Sequence, residues 1–86
     1  MSELTIYRTE WCPFCQRAEA LLASKNLNNL QKIDVEVEPG ARDAMIERAN
    51  GRTSVPQIFI NGTHVGGCDD LFALEQRGEL DPMLAG

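Results

Sequence analysis

The sequence has no long apolar segment and little positive charge. None of its apolar runs approaches the roughly 20 residues that a helix needs to cross a bilayer, and residues 1–4 lack the basic segment and apolar run of a secretory signal peptide. Eight Lys and Arg residues stand against thirteen Asp and Glu, which leaves a formal net charge of −5. A general nucleic-acid-binding protein would carry a basic face. We therefore expect a soluble cytoplasmic protein that binds neither membranes nor nucleic acids.

Cysteine and histidine are also scarce. The three cysteines are an odd number, which makes a poor disulfide framework, and a cytoplasmic chain would not keep one. A structural zinc site needs four ligands, and beside Cys12 and Cys15 the chain offers only Cys68 and His64. His64 alternates with Val65 in a β-prone run, so we expect its side chain to face solvent. No metal is therefore expected, and the close Cys-x-x-Cys pair favours redox chemistry.

The 86 residues have room for one domain, which we assign to 1–86. Apolar periodicity predicts the order β-α-β-α-β-β-α. The Asn61-Gly62 pair between two β-prone runs is a strong hairpin signal, because a type I′ turn needs positive φ at both central residues. The first helix should end at 26–29, and the tail at 80–84 should add a helical turn. The predicted strands are 4–8, 30–37, 57–60 and 63–65, and the predicted helices are 13–25, 41–49 and 69–77. The fold class is therefore α/β, with a mixed four-stranded sheet and helices on both faces.

The segment Cys12-Pro13-Phe14-Cys15 lies where the first helix should begin. Proline is favoured at the first helical position, because its missing N–H has no partner to lose there. Thiol exchange needs a thiolate, and the pKa of a free cysteine is about 8.5. At a helix N-terminus, unpaired N–H groups and the helix dipole favour the anion, and the pKa in such motifs falls to about 3.5–7.5. Cys12 is therefore predicted to be the nucleophile, and Cys15, one turn further on, the resolving cysteine.

Four separated motifs give the chain its resemblance to a known family. They are Cys12-Pro13-Phe14-Cys15, the segment 51–60, Asn61-Gly62, and the segment 66–71 with its Gly-Gly-Cys-Asp-Asp. In this order they resemble the bacterial dithiol glutaredoxins over nearly the whole length. Phe14 replaces a more usual Tyr, Ser54 stands where Thr is more common, and Arg8 where Lys is common.

The resemblance implies a thioredoxin-like fold and glutathione as co-substrate. It implies a cis Val55–Pro56 peptide that turns the Val55 backbone toward the cysteinyl part of glutathione, whereas from sequence alone Pro56 could simply start a strand. Exposed N–H groups and an Asp at 69–70 would bind the γ-glutamyl end, although both Asp residues also have a capping explanation. The residues assigned to glutathione are Arg8, Phe14, Arg42, Ser54, Val55, Pro56, Gly67, Cys68, Asp69 and Asp70.

For three of these residues, the sequence leaves a second role open. Arg8 is the favoured partner for the glycyl carboxylate and Arg42 the weaker candidate, while either is by default a solvated surface charge. Cys68 is favoured as a small apolar filler at a helix start, the alternative being a regulatory thiol that glutathione can modify. Trp11, directly before the motif, is expected to be an exposed rim residue.

The implied activity is a glutathione-disulfide oxidoreductase acting on protein–glutathione mixed disulfides and on protein disulfides, such as that of ribonucleotide reductase. Glutathione reductase would be an indirect partner through the glutathione pool. One alternative is an iron–sulfur carrier in which two chains share a cluster through each Cys12 and two glutathiones, and Pro13 weakens it. A redoxin fed by thioredoxin reductase is another, and the Gly-Gly-Cys-Asp-Asp segment argues against it.

Overall fold

The computed structural model describes residues 3–25, 27 and 29–85 of the chain. Its strands form one sheet in the order β2-β1-β3-β4, so the predicted mixed four-stranded sheet is confirmed. The elements are β1 (Leu4–Arg8), α1 (Pro13–Ala23), β2 (Leu30–Asp34), α2 (Ala41–Arg48), β3 (Gln57–Ile60), β4 (Thr63–Gly66), α3 (Cys68–Gln76) and α4 (Leu80–Ala85).

The two central strands separate two apolar layers. β1 pairs in parallel with β2 and antiparallel with β3, and β4 pairs antiparallel with β3. Because successive side chains of a strand point to opposite faces, β1 and β3 supply both layers. The layer under α1, α3 and α4 consists of Leu4, Ile6, Ala18, Leu22, Ile58, Ile60, Cys68, Leu71 and Leu80. The layer under α2 consists of Tyr7, Val35, Ala41, Met45, Ala49 and Phe59. Helices therefore cover both faces, as predicted.

Helix α1 ends two residues before its predicted boundary. Ser24 is its C-cap, and the Ser24 hydroxyl donates to the carbonyl of Leu21 at 2.6 Å. The ammonium group of Lys25 pairs with Glu75 at 2.7 Å and with Asp81 at 2.9 Å. The expected stop signal at 26–29 includes Asn26 and Asn28, which lie outside the described residues.

Strand β2 is shorter than predicted, and its partner explains why. The ladder with β1 stops at the pair Arg8–Asp34, since β1 itself ends there. Asp34 then starts a turn: its side chain accepts from the N–H of Glu36 at 2.9 Å and its carbonyl from the N–H of Glu38 at 2.9 Å. Val37, predicted inside the strand, is 73% exposed. The apolar alternation at 35–37 therefore continues beyond the paired strand.

The hairpin between β3 and β4 turns where the sequence predicts. Asn61 has φ of 52° and Gly62 has φ of 81°, the two positive values that the tight turn requires. The N–H of Asn61 donates to the carbonyl of Glu3 at 2.7 Å, and the N–H of Glu3 donates to the Asn61 side chain at 2.8 Å. The hairpin tip is thereby joined to the start of β1. Among the described helices, none has the length and apolarity of a membrane span.

Candidate active site

Cys12 and Cys15 lie at the start of α1 and are joined by a disulfide. Cys12 is the N-cap, in extended conformation, and Pro13 occupies the first turn as predicted. The Cα atoms of the two cysteines are 5.1 Å apart, and the N–H of Cys15 donates to the Cys12 sulfur at 3.0 Å. The Cys12 sulfur therefore lies where N–H groups of the helix start can stabilise a thiolate once the disulfide is reduced.

Cys12 is more covered than its place at a helix start led us to expect. It is 8% exposed, whereas Cys15 is fully buried. The Val55 carbonyl lies 3.9 Å from the Cys12 sulfur and contributes to this cover. Of the two cysteines in this disulfide, only Cys12 has exposed surface that an incoming disulfide can reach.

A cleft opens beside this disulfide, between the turn before β3 and the start of α3. Trp11, 88% exposed as expected, and Phe14, 56% exposed, flank the cysteines on the solvent side. The residues that line the cleft are Phe14, Arg52, Ser54, Val55, Pro56, Gly67, Cys68, Asp69 and Asp70. Eight of the ten residues assigned to glutathione by the resemblance therefore lie together.

The turn before β3 presents its backbone to the cleft. The Val55–Pro56 peptide is cis, as the resemblance implies. The buried side chain of Gln57 donates to the Ser54 carbonyl at 3.0 Å and lies 3.4 Å from the Ser54 hydroxyl. No hydrogen bond from the Val55 N–H to another described residue is present, so this donor is available to a ligand.

Helix α3 contributes its N-terminus and two carboxylates. It begins at Cys68 with Gly67 as N-cap, one residue earlier than predicted, so Asp69 and Asp70 lie within the first turn rather than at the cap. An Asp70 oxygen accepts from the Gly67 N–H at 2.9 Å and from Arg52 at 3.1 Å. The hydrogen bond from Gly67, followed by that from Arg52, lowers the pKa of Asp70 below its usual 3.8. Asp70 is therefore a carboxylate at neutral pH.

Gly66 makes this arrangement possible. Its φ of +116° lies in the region that favours glycine, and a Cβ there would overlap the side chains of Asp70 and Arg52. The backbone before α3 can therefore approach this ion pair only without a side chain at position 66.

The two arginines assigned to the glycyl carboxylate lie outside the cleft lining. Arg8 donates from Nε to Glu19 at 2.6 Å, and its side chain is 18% exposed. Arg42 is exposed on α2. Their assignment stays a prediction, and the cleft instead contains Arg52, to which sequence analysis gave no role. Arg52 belongs to the quoted segment 51–60, and its place just before the Val55–Pro56 turn was the signal available.

Cys68 is buried in the layer under α3 and also borders the cleft. Burial, the largest influence, raises the pKa of its thiol above 9.0, and the cation of Arg17 acts in the opposite direction. A neutral thiol packed with apolar side chains agrees with the filler role. Modification by glutathione stays a prediction.

The side chain of His64, which was expected to face solvent, is only partly exposed. Its ring is half-buried, 5.0 Å from the ring of Phe59 between centroids, and its Nε2 lies 2.7 Å from Gln57 Oε1. Burial first, and then the cation of Arg52, lowers its pKa below 6.5. His64 pairs directly with Phe59 in the β3–β4 ladder, and the bulge between Ile58 and Phe59 lies beyond this pair. Since cross-strand partners share one face of a sheet, the ring packs on the face of the buried Phe59 side chain, and the alternation of His64 with Val65 alone did not show which face is covered.

Comparison with known proteins confirms the resemblance. The glutaredoxin family model matches residues 4–65. Glutaredoxin 3 of Escherichia coli strain K12 is 51% identical over 84 residues, which are 98% of this chain and 99% of the relative. A solution structure of a Brucella melitensis glutaredoxin is 50% identical, with a TM-score of 0.81 over 95% of this chain and 87% of that one. A crystal structure of a buckwheat glutaredoxin–glutathione complex has a TM-score of 0.88 at 29% identity, over 98% of this chain and 77% of that one. The chain therefore belongs to the glutaredoxin family of thiol–disulfide oxidoreductases with a thioredoxin-like fold.

Proposed function

We propose that this protein uses glutathione to reduce protein–glutathione mixed disulfides and protein disulfides, with Cys12 as nucleophile. The observation that carries the proposal is a cleft that adjoins the Cys12–Cys15 disulfide and contains charges of both signs and a free backbone donor. The similar buckwheat structure is a glutaredoxin–glutathione complex, which supports glutathione as the occupant.

Glutathione carries two carboxylates and one ammonium group, and the cleft offers partners for each. The first N–H groups of α3 suit the γ-glutamyl carboxylate, and the ionised Asp70 suits the ammonium group. The free Val55 N–H can pair with the cysteinyl backbone in the manner of an added strand. Arg52 supplies a cation within the cleft for a carboxylate, while Arg8 and Arg42 stay alternatives for the glycyl end.

Reduction of a mixed disulfide takes two exchanges. The Cys12 thiolate attacks the glutathione sulfur, a Cys12–glutathione disulfide forms, and the substrate sulfur leaves as a thiolate that takes a proton from water. The thiolate of a second glutathione then attacks the bound glutathione sulfur, which frees the Cys12 thiolate and releases oxidised glutathione. The net reaction consumes one free glutathione and releases oxidised glutathione, one half of which comes from the substrate. A separate NADPH-dependent reductase supplies the two electrons that return both halves to the thiol.

Reduction of a protein disulfide also uses Cys15. Cys12 attacks one substrate sulfur, and the other leaves as a thiolate. Cys15 then attacks the Cys12 sulfur, which releases the reduced substrate and forms the intramolecular disulfide seen here. Glutathione afterwards reduces this disulfide. Because glutaredoxin potentials of about −200 to −230 mV lie near the glutathione poise, the direction follows the pool. We expect this chemistry in the cytoplasm, with ribonucleotide reductase as one substrate.

The test is a coupled assay with a glutathionylated peptide, glutathione, glutathione reductase and NADPH. We expect NADPH oxidation that requires both glutathione and the protein. A parallel reaction replaces glutathione and its reductase with thioredoxin reductase. Turnover in that reaction alone would overturn the glutathione dependence and leave a thioredoxin-like redoxin.

A further inference from the structure

A chain of side-chain hydrogen bonds leads from β4 to the turn that borders Cys12. His64 Nε2 lies 2.7 Å from Gln57 Oε1, and Gln57 Nε2 donates to the Ser54 carbonyl at 3.0 Å. Gln57 is fully buried, so solvent cannot replace either partner. The Ser54 carbonyl belongs to the peptide that includes the Val55 N–H, and the Val55 carbonyl lies 3.9 Å from the Cys12 sulfur.

The chemistry of the groups sets the direction of this chain. A carbonyl can only accept, so Gln57 must turn its NH₂ toward Ser54 and its oxygen toward His64. That oxygen needs a donor, so His64 must carry a proton on Nε2. An imidazole protonated only on Nδ1 would place two acceptors against each other at 2.7 Å. The Nε2–H tautomer and the imidazolium both satisfy the chain.

Without the His64 donor, the Gln57 oxygen would be buried with no partner, and only the bond to the Ser54 carbonyl would hold the amide in this orientation. A rotated amide would turn its oxygen toward the Ser54 carbonyl, and the peptide between Ser54 and Val55 would have to move away. Since that peptide carries the Val55 N–H, such a movement changes the position of the donor that faces the cleft.

We propose that His64 is a positioning residue for the Val55 backbone and acts through Gln57. The inference rests on the proposed function, because it assigns to this backbone the glutathione part of the substrate. His64 itself does not border the cleft.

Two substitutions separate this role from simple packing. His64→Phe keeps a ring against Phe59 but has no donor, whereas His64→Gln loses the ring and can place an Nε2 donor at a similar distance from the backbone. We expect His64→Phe to raise the KM for a glutathionylated peptide about threefold to tenfold, the change expected for loss of one neutral hydrogen bond. His64→Gln should stay within about twofold of wild type by the same scale.

Two further measurements complete the comparison. The rate of Cys12 alkylation by iodoacetamide, which needs no glutathione site, should be the same in both variants and the wild type. Thr63→Ala, at the exposed neighbouring position of β4, serves as the control and should leave KM unchanged. A wild-type KM in His64→Phe together with a raised KM in His64→Gln would overturn the proposal in favour of packing.

A spectroscopic test does not depend on glutathione. Long-range ¹H–¹⁵N spectra of the wild-type protein above the His64 pKa should show the Nε2–H tautomer, and the Nδ1–H tautomer would overturn the proposal. If the wild type failed to reduce glutathionylated peptide, the proposed function would fall and the positioning role with it. An Nε2–H tautomer would then still establish the hydrogen-bond chain, so the two failures remain distinguishable.

Discussion

Two helix N-termini meet at the cleft, and they differ in the charge of their first turns. The first turn of α1 has no acidic residue, and its N-cap side chain is the Cys12 sulfur. The first turn of α3 has Asp69 and Asp70, and Asp70 already accepts from the Gly67 N–H. Both helix starts favour an anion for the same physical reason. At α1 the anion would be a reactive thiolate, whereas α3 already carries a carboxylate that is ionised at neutral pH and that suits the binding role we propose for it.

The cysteines should give the largest effects. Cys12→Ser should abolish every disulfide exchange, because a serine hydroxyl cannot replace the thiolate. Cys15→Ser should keep activity on glutathionylated peptide, since free glutathione resolves the Cys12 adduct, but lose most activity on protein disulfides. Mass spectrometry should show one glutathione bound at Cys12 of the Cys15→Ser protein. If Cys12→Ser retained an activity that Cys15→Ser lost, the nucleophile would be assigned to the wrong sulfur.

Removing the charge from the α3 start should have the next largest effect. Asp70→Asn keeps an oxygen for the Gly67 N–H but cannot pair with an ammonium group. Loss of a charged contact costs about 1.5–3 kcal/mol, and since the Asp70 side chain is 47% exposed we expect the low end, about a tenfold rise in KM. Asp43→Asn, in the first turn of α2 away from the cleft, is the matched control. Equal KM values in the two variants would restrict Asp70 to a structural role.

Adding an acid to α1 should make its start resemble that of α3. In the reduced wild type, the rate of Cys12 alkylation should reach half its maximum below the free value of about 8.5. Gln16→Glu, within the first turns of α1, should raise this midpoint by about 0.2–0.7 pH units, the equivalent of 0.3–1 kcal/mol. Gln16→Lys should lower it by a similar amount. Peptide mapping assigns the reacting cysteine, and Cys68 should react more slowly. Unmoved midpoints in both variants would remove the helix start as the cause.

Asp70 and Cys68, both at the start of α3, should each make a small contribution to the free energy of unfolding, and these contributions should be lost in opposite pH ranges. The hydrogen bond from Gly67 lowers the pKa of Asp70, so its stabilising contribution is present above pH 3.8 and is lost as the pH falls. Burial raises the pKa of Cys68, so its contribution is present below pH 9.0 and is lost as the pH rises. Urea unfolding of wild type, Asp70→Asn and Cys68→Ala across pH measures both. The difference in free energy of unfolding between wild type and Asp70→Asn should shrink only in acid. The difference between wild type and Cys68→Ala should shrink only in base. The reverse pattern would contradict both assignments.

Local signals predicted most of the fold. Pro13 predicted the start of α1, and Asn61-Gly62 predicted the hairpin, because each residue type has a strong preference for its backbone conformation. The end of β2 could not be predicted in this way. Alternation continues to Val37, but pairing stops at Asp34 where β1 ends, and that limit lies in another strand.

The sequence by itself determined the redox pair, its place at a helix start and the family. Only the tertiary structure decided which charges share the cleft. Arg52 and Asp70 are 18 positions apart in sequence yet 3.1 Å apart in space, whereas Arg8, expected at the site, is paired with Glu19. The tertiary structure also places His64 against Gln57 across the hairpin. Backbone preferences act between near neighbours and can be inferred from sequence, whereas partners of long charged and polar side chains depend on how the strands and helices pack.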